Sequence, residues 1–297
     1  MVGGIAVMIF VATFSFFSMR LAPGGPFDGE RALPAEIKHN LEQQYHLDEP
    51  LIQQYGRYMV DLAHLDLGHS MIRTKTVKEI IWYSVPKSMM LGLLALGFAI
   101  LFGVGLGVIA ASKQNSLADH GAMAFALFGI SIPSIVLGPL LIFIFSLQFY
   151  WLPPARFEGF ASMILPAATL GLIFMGVVSR LARTGLLETL RQDYIRTARA
   201  KGLSERKVVW KHAVRLGLLP VVTYLGPAIA ALITGSFVVE KIFQVPGLGF
   251  YFVASITDRD YTVLSGVLVF YSGFLVVLNF LVDVAYGFLD PRIRTKR

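Results

Sequence analysis

The sequence predicts an all-α membrane protein built as a bundle of six transmembrane helices. Of its 297 residues, 55% are hydrophobic and only 15% are charged, whereas a soluble domain carries about 25% charged residues. A helix needs about 20 apolar residues to cross the hydrocarbon core of a bilayer. Six runs reach that length, at approximately 2–19, 88–111, 121–149, 163–182, 219–239 and 262–288. We therefore expect a single membrane domain over residues 1–297.

The first run follows Met1 directly, and no positive residue precedes Arg20. A secretory signal peptide has a charged start and a small-residue cleavage site, and neither is clear in this run. We interpret the run as a membrane helix, with a signal peptide as the alternative.

The segment 20–87 separates the first two runs and carries eight Lys/Arg and nine Asp/Glu residues. Within it, Ile37, Leu41 and Tyr45 recur every four residues, which is the spacing of one face of a helix. This pattern predicts a short amphipathic helix.

Two more short helices are predicted in the same segment. Asp48 is the expected N-cap of one, with Pro50 in its first turn. Thr76 and Glu79 have the spacing of a capping box and begin the other. All three helices would be too short to cross a bilayer. The segment is thus either a connector on the membrane surface or a docking surface for an external partner.

Small residues and prolines lie within the apolar runs. Gly103 and Gly107 form a G-x-x-x-G pair, a spacing that allows helix backbones to approach closely. We expect this pair to serve packing within the chain. Four prolines should kink or break their helices, namely Pro133, Pro139, Pro166 and Pro227.

Orientation follows from the distribution of Lys and Arg, because short basic loops remain in the cytoplasm. The segments 112–120, 180–218 and 289–297 carry one, ten and four Lys/Arg residues and should share the cytoplasmic side. The segments 20–87, 150–162 and 240–261 should lie outside. Both termini are then cytoplasmic, although Arg20 opposes this bias locally. The net charge of +7 is explained by topology and needs no nucleic acid partner.

The residue inventory does not favour an enzyme. There are no cysteines, hence no disulfides and no thiolate chemistry. The chain has neither an H-E-x-x-H zinc motif nor the Gly-Lys dipeptide of a Walker A loop. The histidines all fall outside the predicted membrane helices, at His39, His46, His64, His69, His120 and His212. We assign no catalytic, cofactor-binding or metal-binding residue, and any ATP would be bound by a separate subunit.

Charges near the middle of the membrane are nearly absent. Lys87, Arg180, Glu240, Lys241 and Asp283 all lie close to a predicted membrane edge. Carriers driven by protons or sodium tend to place ionisable groups at mid-membrane. The pattern favours interfacial anchors, with Asp283 the best candidate for a further role.

A basic segment at 194–220 carries the most specific pattern of the chain. Thr197, Ala198 and Ala200 are small and precede Gly202. A short helix of small residues that ends at a glycine can lie close against another protein, because glycine supplies the turn. We expect Ala198 and Gly202 to sit in a groove of a partner.

This segment resembles the coupling loop of permease subunits of binding-protein-dependent ABC importers. Arg196, Thr197 and Ala198 stand at the Glu-Ala-Ala positions of that motif, and Gly202 stands at its glycine. Arg196 replaces the Glu, and the gap before the closing Leu219–Pro220 is longer, as is usual in the peptide and nickel branch. The residues that the resemblance assigns to ATPase coupling are Arg196, Thr197, Ala198, Arg199, Ala200, Lys201, Gly202 and Leu203.

Other stretches carry the same resemblance. The family-signature loop after the fifth helix includes Glu240, Phe243, Pro246, Gly247, Leu248 and Gly249. Peptide permeases have stretches similar to Arg20–Phe27 and Asp290–Arg292. The oligopeptide permease B-type subunit has stretches similar to Gly29–Pro34 and Tyr45–Leu47. Relatives usually carry a short basic stretch before the first helix, so the chain is expected to be either clipped or wrongly started.

The resemblance implies the type I ABC importer permease fold and a place in the bacterial inner membrane. It implies oligopeptide cargo, with dipeptide, nickel or glutathione as alternatives. The expected partners are a second homologous permease subunit, two ABC ATPase subunits that bind the ATP, an extracytoplasmic substrate-binding protein, peptide and membrane lipid. Closure of the ATPases would push the loop around 197–202 and rock the helices. A secondary transporter or channel, and a scaffold subunit, are the rival interpretations.

Overall fold

The computed structural model describes residues 2–22, 24–28 and 34–289, and for residues 2, 283 and 285–289 it describes the backbone alone. Nearly all of this part is helical, as predicted. The helices are α1 (Val2–Leu21), α2 (Ala35–Gln44), α3 (Leu51–Ala63), α4 (Val77–Ser112), α5 (Leu117–Ser131), α6 (Ser134–Leu141), α7 (Ala161–Leu190), α8 (Asp193–Ala200), α9 (Glu205–Lys207), α10 (Val214–Gly217), α11 (Leu219–Ile233), α12 (Phe237–Ile242), α13 (Leu248–Thr257) and α14 (Tyr261–Leu289). Two π-helical stretches, Ile142–Gln148 and Val208–Ala213, continue α6 and precede α10.

Five helical stretches of the described chain are long and apolar enough to cross a membrane. They are Gly3–Leu21, Val77–Ser112, Ala161–Leu190, Leu219–Ile242 and Tyr261–Val282. A sixth crossing is obtained if the bent pair Leu117–Ser131 and Ser134–Gln148 counts as one span. The predicted architecture of an all-α membrane bundle is therefore confirmed.

The third apolar run is not one straight helix, as the sequence had suggested. Its two parts are bent by 108° at Ile132 and Pro133. Ile132 is extended, with φ −94° and ψ 120°, because the ring of a following proline disfavours the helical conformation. Pro133 therefore breaks its helix, whereas the helices continue through the other three predicted prolines, Pro139, Pro166 and Pro227.

The capping box at Thr76 and Glu79 is confirmed, but the helix that it begins is not short. The Thr76 amide donates to Glu79 Oε2 at 2.8 Å, and the Glu79 amide donates to Thr76 Oγ1 at 3.2 Å. The helix then runs for 36 residues to Ser112, roughly 54 Å at 1.5 Å per residue. The prediction of a separate third helix is wrong, because no breaker intervenes and α4 continues through Pro86.

The N-cap prediction for α3 is also wrong. Pro50, not Asp48, occupies the N-cap position of α3. The amides of Gln53 and Gln54 donate to the Pro50 carbonyl oxygen at 2.9 and 3.2 Å. Proline is tolerated at this position because the helix needs no hydrogen bond from the amide of its N-cap residue. The missing N–H of proline therefore breaks no helical bond, and its fixed φ causes no strain.

The predicted loop 180–218 begins later than expected. Helix α7 extends to Leu190, so the first part of this segment is helical.

Some of the predicted features lie outside the described residues. The resemblances at 29–33 and 290–292 lie outside the described residues, as do Pro23 and the side chain of Asp283.

The chain forms two compact units, and the prediction of one membrane domain stays a prediction. The first unit comprises Met1–Ser88 and Pro246–Val277. One of its cores gathers Val77, Ile80, Leu248 and Val267. Next to this core, Asp260 is fully buried and accepts hydrogen bonds from the Ser70 hydroxyl and from the Met71 and Val263 amides, while Arg73 donates to Asp258 at 2.6 Å.

The second unit comprises Met89–Val245 and Leu278–Arg297. Its main core gathers apolar side chains of α4, α7, α11 and α12, among them Leu91, Met163 and Leu232. The G-x-x-x-G pair packs within this unit, as predicted. A Cβ added at Gly103 would lie 2.9 Å from the Met175 carbonyl oxygen, so α4 contacts the backbone of α7 there.

Candidate functional site: the 191–217 segment and the 240–249 loop

The predicted short helix of small residues is present as α8 and ends at Gly202 in the expected way. The Gly202 amide donates to the Arg199 carbonyl at 2.9 Å, and the Leu203 amide donates to the Ala198 carbonyl at 3.4 Å. These two bonds form a Schellman motif, which requires a left-handed residue after the helix. Gly202 has φ +75° and meets this requirement without a Cβ penalty.

One face of α8 is attached to the rest of the chain. Ile195 is fully buried and Ala198 is 6% exposed, in a cluster with Leu186, Val208 and Ala213. The expectation that Ala198 faces a partner is thus corrected, because its methyl group packs against this chain's own core. The helix is too polar on its other face to bury both sides.

The opposite face of α8 is open. Exposed residues of the predicted coupling set are Arg196, Thr197, Arg199, Ala200, Lys201 and Gly202, and Leu203 is half-buried. A Cβ added at Gly202 would meet nothing within 4 Å. This face presents small side chains and a positive charge, which suits close contact with another polypeptide.

The turn after α8 is held by an ion pair. The Arg199 guanidinium donates from Nε to Glu205 Oε1 at 2.7 Å and from a terminal nitrogen to Glu205 Oε2 at 3.2 Å. The hydrogen bond to Glu205 raises the pKa of Arg199. Both side chains also line a surface cavity of about 570 Å³ together with Lys113 and Trp210. Since 57% of Trp210 is exposed, the cavity offers an apolar surface beside fixed charges.

The segment is fixed to α7 by close backbone packing. A Cβ at Gly185 would clash with the carbonyl oxygen of Gly217, and a Cβ at Gly217 would lie 2.9 Å from the Leu186 Cα. Two glycines facing each other let α10 approach α7 more closely than larger side chains would allow. The 191–217 segment and α7 are therefore in direct backbone contact.

An ion pair on the same unit connects α5 to α7. Arg183 donates to both carboxylate oxygens of Asp119 at 2.7 Å, and Asp119 is 2% exposed. Asp119 also accepts from the Asn115 amide at 3.0 Å. Sequence reasoning missed this pair, since 64 residues separate the partners; the charge of Asp119 in the first turn of an apolar helix was the available signal.

The first part of the family-signature loop lies in the second unit. Glu240 is fully buried in α12, and its carbonyl oxygen accepts from the Val245 amide at 2.9 Å. Phe243 is 1% exposed and lies so close to Gly138 that a Cβ there would be 3.2 Å from its ring.

The rest of that loop lies in the first unit. Gly247 is the N-cap of α13. The Leu248 amide donates to the buried Ser88 hydroxyl at 2.9 Å, and Leu248 itself is fully buried. Pro246 is half-buried, and Gly249 is buried. The structure therefore brings the predicted coupling residues together on one helix and the turn after it, and divides the signature residues between two units.

Among the described residues, no group of three or more His, Asp or Glu side chains is arranged to hold a metal ion. What this arrangement offers is a multi-helix membrane unit with a small, basic, exposed helix fixed to it. That is the class of multi-pass membrane proteins.

Comparison with known proteins agrees with this class. Residues 103–295 match the family of the binding-protein-dependent transport system inner membrane component. The dipeptide transport system permease protein DppB of Bacillus subtilis is 45% identical over 290 residues, which cover 97% of this chain and 94% of that protein. The oligopeptide transport system permease protein OppB of Salmonella typhimurium is 43% identical over 293 residues, which cover 98% and 96%. The chain therefore belongs to this family of inner membrane transport components.

Solved structures share the fold. A chain of the MetNI methionine ABC transporter in an inward-facing conformation matches with a TM-score of 0.59 at 17% identity, covering 71% of this chain and 96% of that one. A chain of an amino acid ABC transporter crystallised with histidines matches with a TM-score of 0.54 at 15% identity, covering 70% and 92%. The fold is thus shared with chains of ABC transporters. Together with the family match, the apolar helices show a multi-pass permease.

Proposed function

We propose that this chain is the permease subunit of an ATP-driven importer for peptides, with oligopeptides as the main cargo. The observation that carries the proposal is the similarity, along nearly the whole chain, to permease proteins of dipeptide and oligopeptide transport systems. Dipeptide, nickel and glutathione are the alternative cargoes within the same family. Cargo choice would rest largely with a separate binding protein.

The complex would contain a second homologous permease subunit, two ATPase subunits and an external binding protein. The chain would form half of the translocation pathway. It would bind no ATP itself and would have no enzymatic activity. Both termini and the 191–217 segment would face the cytoplasm, because this segment carries eight Lys/Arg residues and short basic loops remain in the cytoplasm.

Coupling would run through the exposed face of α8. The ATPases would contact Thr197, Ala200 and Gly202, whose small size allows close approach. Movement of α8 would pass to α7 through the buried face at Ile195 and Ala198 and through the glycine contact of α10. Two positions of this unit would give inward- and outward-facing states, biased by ATP on one side and by the loaded binding protein on the other.

The test is uptake by the assembled complex. The chain is purified with its co-expressed ATPase, permease and binding-protein subunits, reconstituted into liposomes and supplied with labelled trialanine. We expect uptake that requires both ATP and the binding protein. Uptake that proceeds without ATP and follows a proton or sodium gradient would identify a secondary transporter and contradict the proposal.

A further inference from the structure

A basic cavity lies where two membrane helices of the second unit end. Helix α4 ends at Ser112 and α7 ends at Leu190, and both residues line the surface cavity of about 570 Å³ beside the turn after α8. Both helices are long and apolar enough to cross a membrane. The cavity is therefore at the edge of the membrane, and the proposed orientation puts that edge on the cytoplasmic side.

The cavity holds several positive charges that are not neutralised by the chain. Lys113, Arg191 and Arg206 line it and are exposed. None of these three side chains forms an ion pair with another described residue. Glu205 also lines the cavity, but its carboxylate is engaged by Arg199 at 2.7 Å. Three cations that share one cavity repel one another, and a bound anion would offset this repulsion.

Apolar side chains lie beside these charges. Trp210 is 57% exposed and lines the cavity together with Leu187 and Leu190. Trp210 also borders a second surface cavity, of about 450 Å³, with Lys207 and Lys211. Tryptophan is enriched at the membrane–water interface, where its ring lies at the level of the headgroups. An apolar wall next to unpaired cations suits an amphipathic anion better than a small free one.

The segment that carries Trp210 and Arg206 is held at the membrane edge by its buried face. Val208 and Ala213 are fully buried in one core with Val108 and Leu186. These two partners lie four residues before the ends of α4 and α7. The exposed basic face of 204–215 therefore stays level with the last turn of two membrane helices.

We propose that this cavity binds the headgroup of an anionic phospholipid of the cytoplasmic leaflet. Lys113, Arg191 and Arg206 would contact the phosphate, and Trp210 would lie along the first part of the acyl chains. Basic pockets at the cytoplasmic ends of membrane helices bind such headgroups, and a volume of about 570 Å³ lies within the usual range of ligand pockets, about 300–1,000 Å³. The inference rests on the proposed function for its side of the membrane and adds a lipid partner next to the coupling helix.

The first experiment uses Trp210 as the reporter of lipid contact. The chain has three tryptophans, so Trp82→Phe with Trp151→Phe leaves Trp210 as the single fluorescent one. The purified full chain in neutral phosphatidylcholine micelles is titrated with lipids brominated on the acyl chains, which quench a tryptophan that they touch. Since each Lys or Arg near an anionic headgroup is worth roughly a factor of five, brominated phosphatidylglycerol should quench at a mole fraction roughly tenfold or more below that of brominated phosphatidylcholine.

Charge variants in this background locate the binding site. Arg206→Gln should reduce the preference for phosphatidylglycerol roughly fivefold, and Lys113→Gln combined with it should remove most of the preference. Lys201→Gln is the matched control, because Lys201 is an exposed cation of the same segment that does not line the cavity. All three positions are exposed, so the substitutions leave the buried core unchanged.

Equal quenching by the two lipids, or an equal effect of Lys201→Gln and Arg206→Gln, would overturn the inference. Reversal of the quenching by inorganic phosphate at the concentration of the lipid would also overturn it, because the cavity would then hold a phosphate group without its lipid.

A second experiment separates a lipid from a protein partner on this face. The chain assembled with its ATPase subunits is placed in liposomes that contain a photoreactive phosphatidylglycerol, and cross-linked peptides are identified by mass spectrometry. We expect cross-links within 204–215 in the assembled complex. Cross-links that form with the chain alone and disappear on assembly would identify an ATPase contact and overturn the inference. None of these results alters ATP-dependent peptide uptake, and lipid binding by the chain can be measured even if that uptake fails, so the two proposals fail separately.

Discussion

Gly202 and Ala198 stand four residues apart in one small-residue pattern but have different physical roles. Gly202 is exposed and adopts a left-handed conformation that closes α8. Ala198 is buried against the cluster around Leu186. A larger side chain at this position would push α8 away from that cluster. The sequence indicated that both positions need small residues, but it could not tell which one faces the chain's own core. A Trp at Ala198 would therefore test folding, and one at Ala200 would test a contact with a partner.

Asp119→Asn is expected to destabilise the protein through the buried ion pair. The change leaves Arg183 without its counter-ion, and breaking such a pair costs up to about 3–5 kcal/mol. We expect about 3 kcal/mol at most, because 27% of the Arg183 side chain remains accessible. The measurement is the midpoint of thermal unfolding of the purified chain in detergent.

Glu158→Gln is the matched control for that ion pair. Glu158 and Arg156 are more than 70% exposed and 3.8 Å apart, so the change should cost less than about 1 kcal/mol. Replacing both buried partners, as in Asp119→Leu with Arg183→Met, should recover most of the stability. If Asp119→Asn behaves like the exposed control, the pair does not stabilise the contact of α5 with α7.

At the scale of elements, local signals located helices well and connections between them poorly. The capping box at Thr76 has a specific local pattern, and the structure contains it. How far the helix continues after the capping box depends on whether a helix-breaking residue follows, and Pro86 does not break this helix. Pro133 does break its helix, whereas Pro139 does not. A proline in a membrane helix can be accommodated by its neighbours, and those neighbours are set by the tertiary fold.

The glycine contact between α4 and α7 gives a prediction at this scale. Gly107→Ala should destabilise the bundle by about 1–3 kcal/mol through overpacking, because the new Cβ would lie 2.5 Å from the Ala182 Cβ and 2.7 Å from the Ser179 carbonyl. The readout is the thermal unfolding midpoint in detergent, with the level of chain in membranes as a second measure.

Gly105→Ala is the matched control within the same turn of α4. No atom lies within 4 Å of a Cβ added at Gly105, and alanine is the better helix former by about 0.5–1 kcal/mol. This variant should be neutral or slightly stabilising. Equal loss of stability in both variants would mean that α4 and α7 do not approach through Gly103 and Gly107.

At the scale of the whole molecule, composition and apolar run length were enough to predict the membrane class and the approximate number of crossings. Motif spacing was enough to place the predicted coupling residues on one short helix and the turn after it. A surface cavity lined by Arg20, Tyr58 and Tyr261 could not be predicted from the sequence, because it joins α1, α3 and α14, which are distant in the chain. The charge pattern predicts a side of the membrane for each loop, and this prediction can be tested together with the coupling surface.

The central claim is that the exposed face of α8 docks on the partner ATPases. The chain has no cysteine, so a single Ala200→Cys substitution gives one reactive site on that face. Labelling with a bulky, membrane-impermeant maleimide is compared for the purified chain alone and for the chain assembled with its ATPase subunits. Glu158→Cys, on the loop predicted to lie on the opposite side, is the control. The account predicts strong protection of Cys at position 200 by the ATPases and none at position 158, whereas equal labelling of position 200 in both preparations would contradict it.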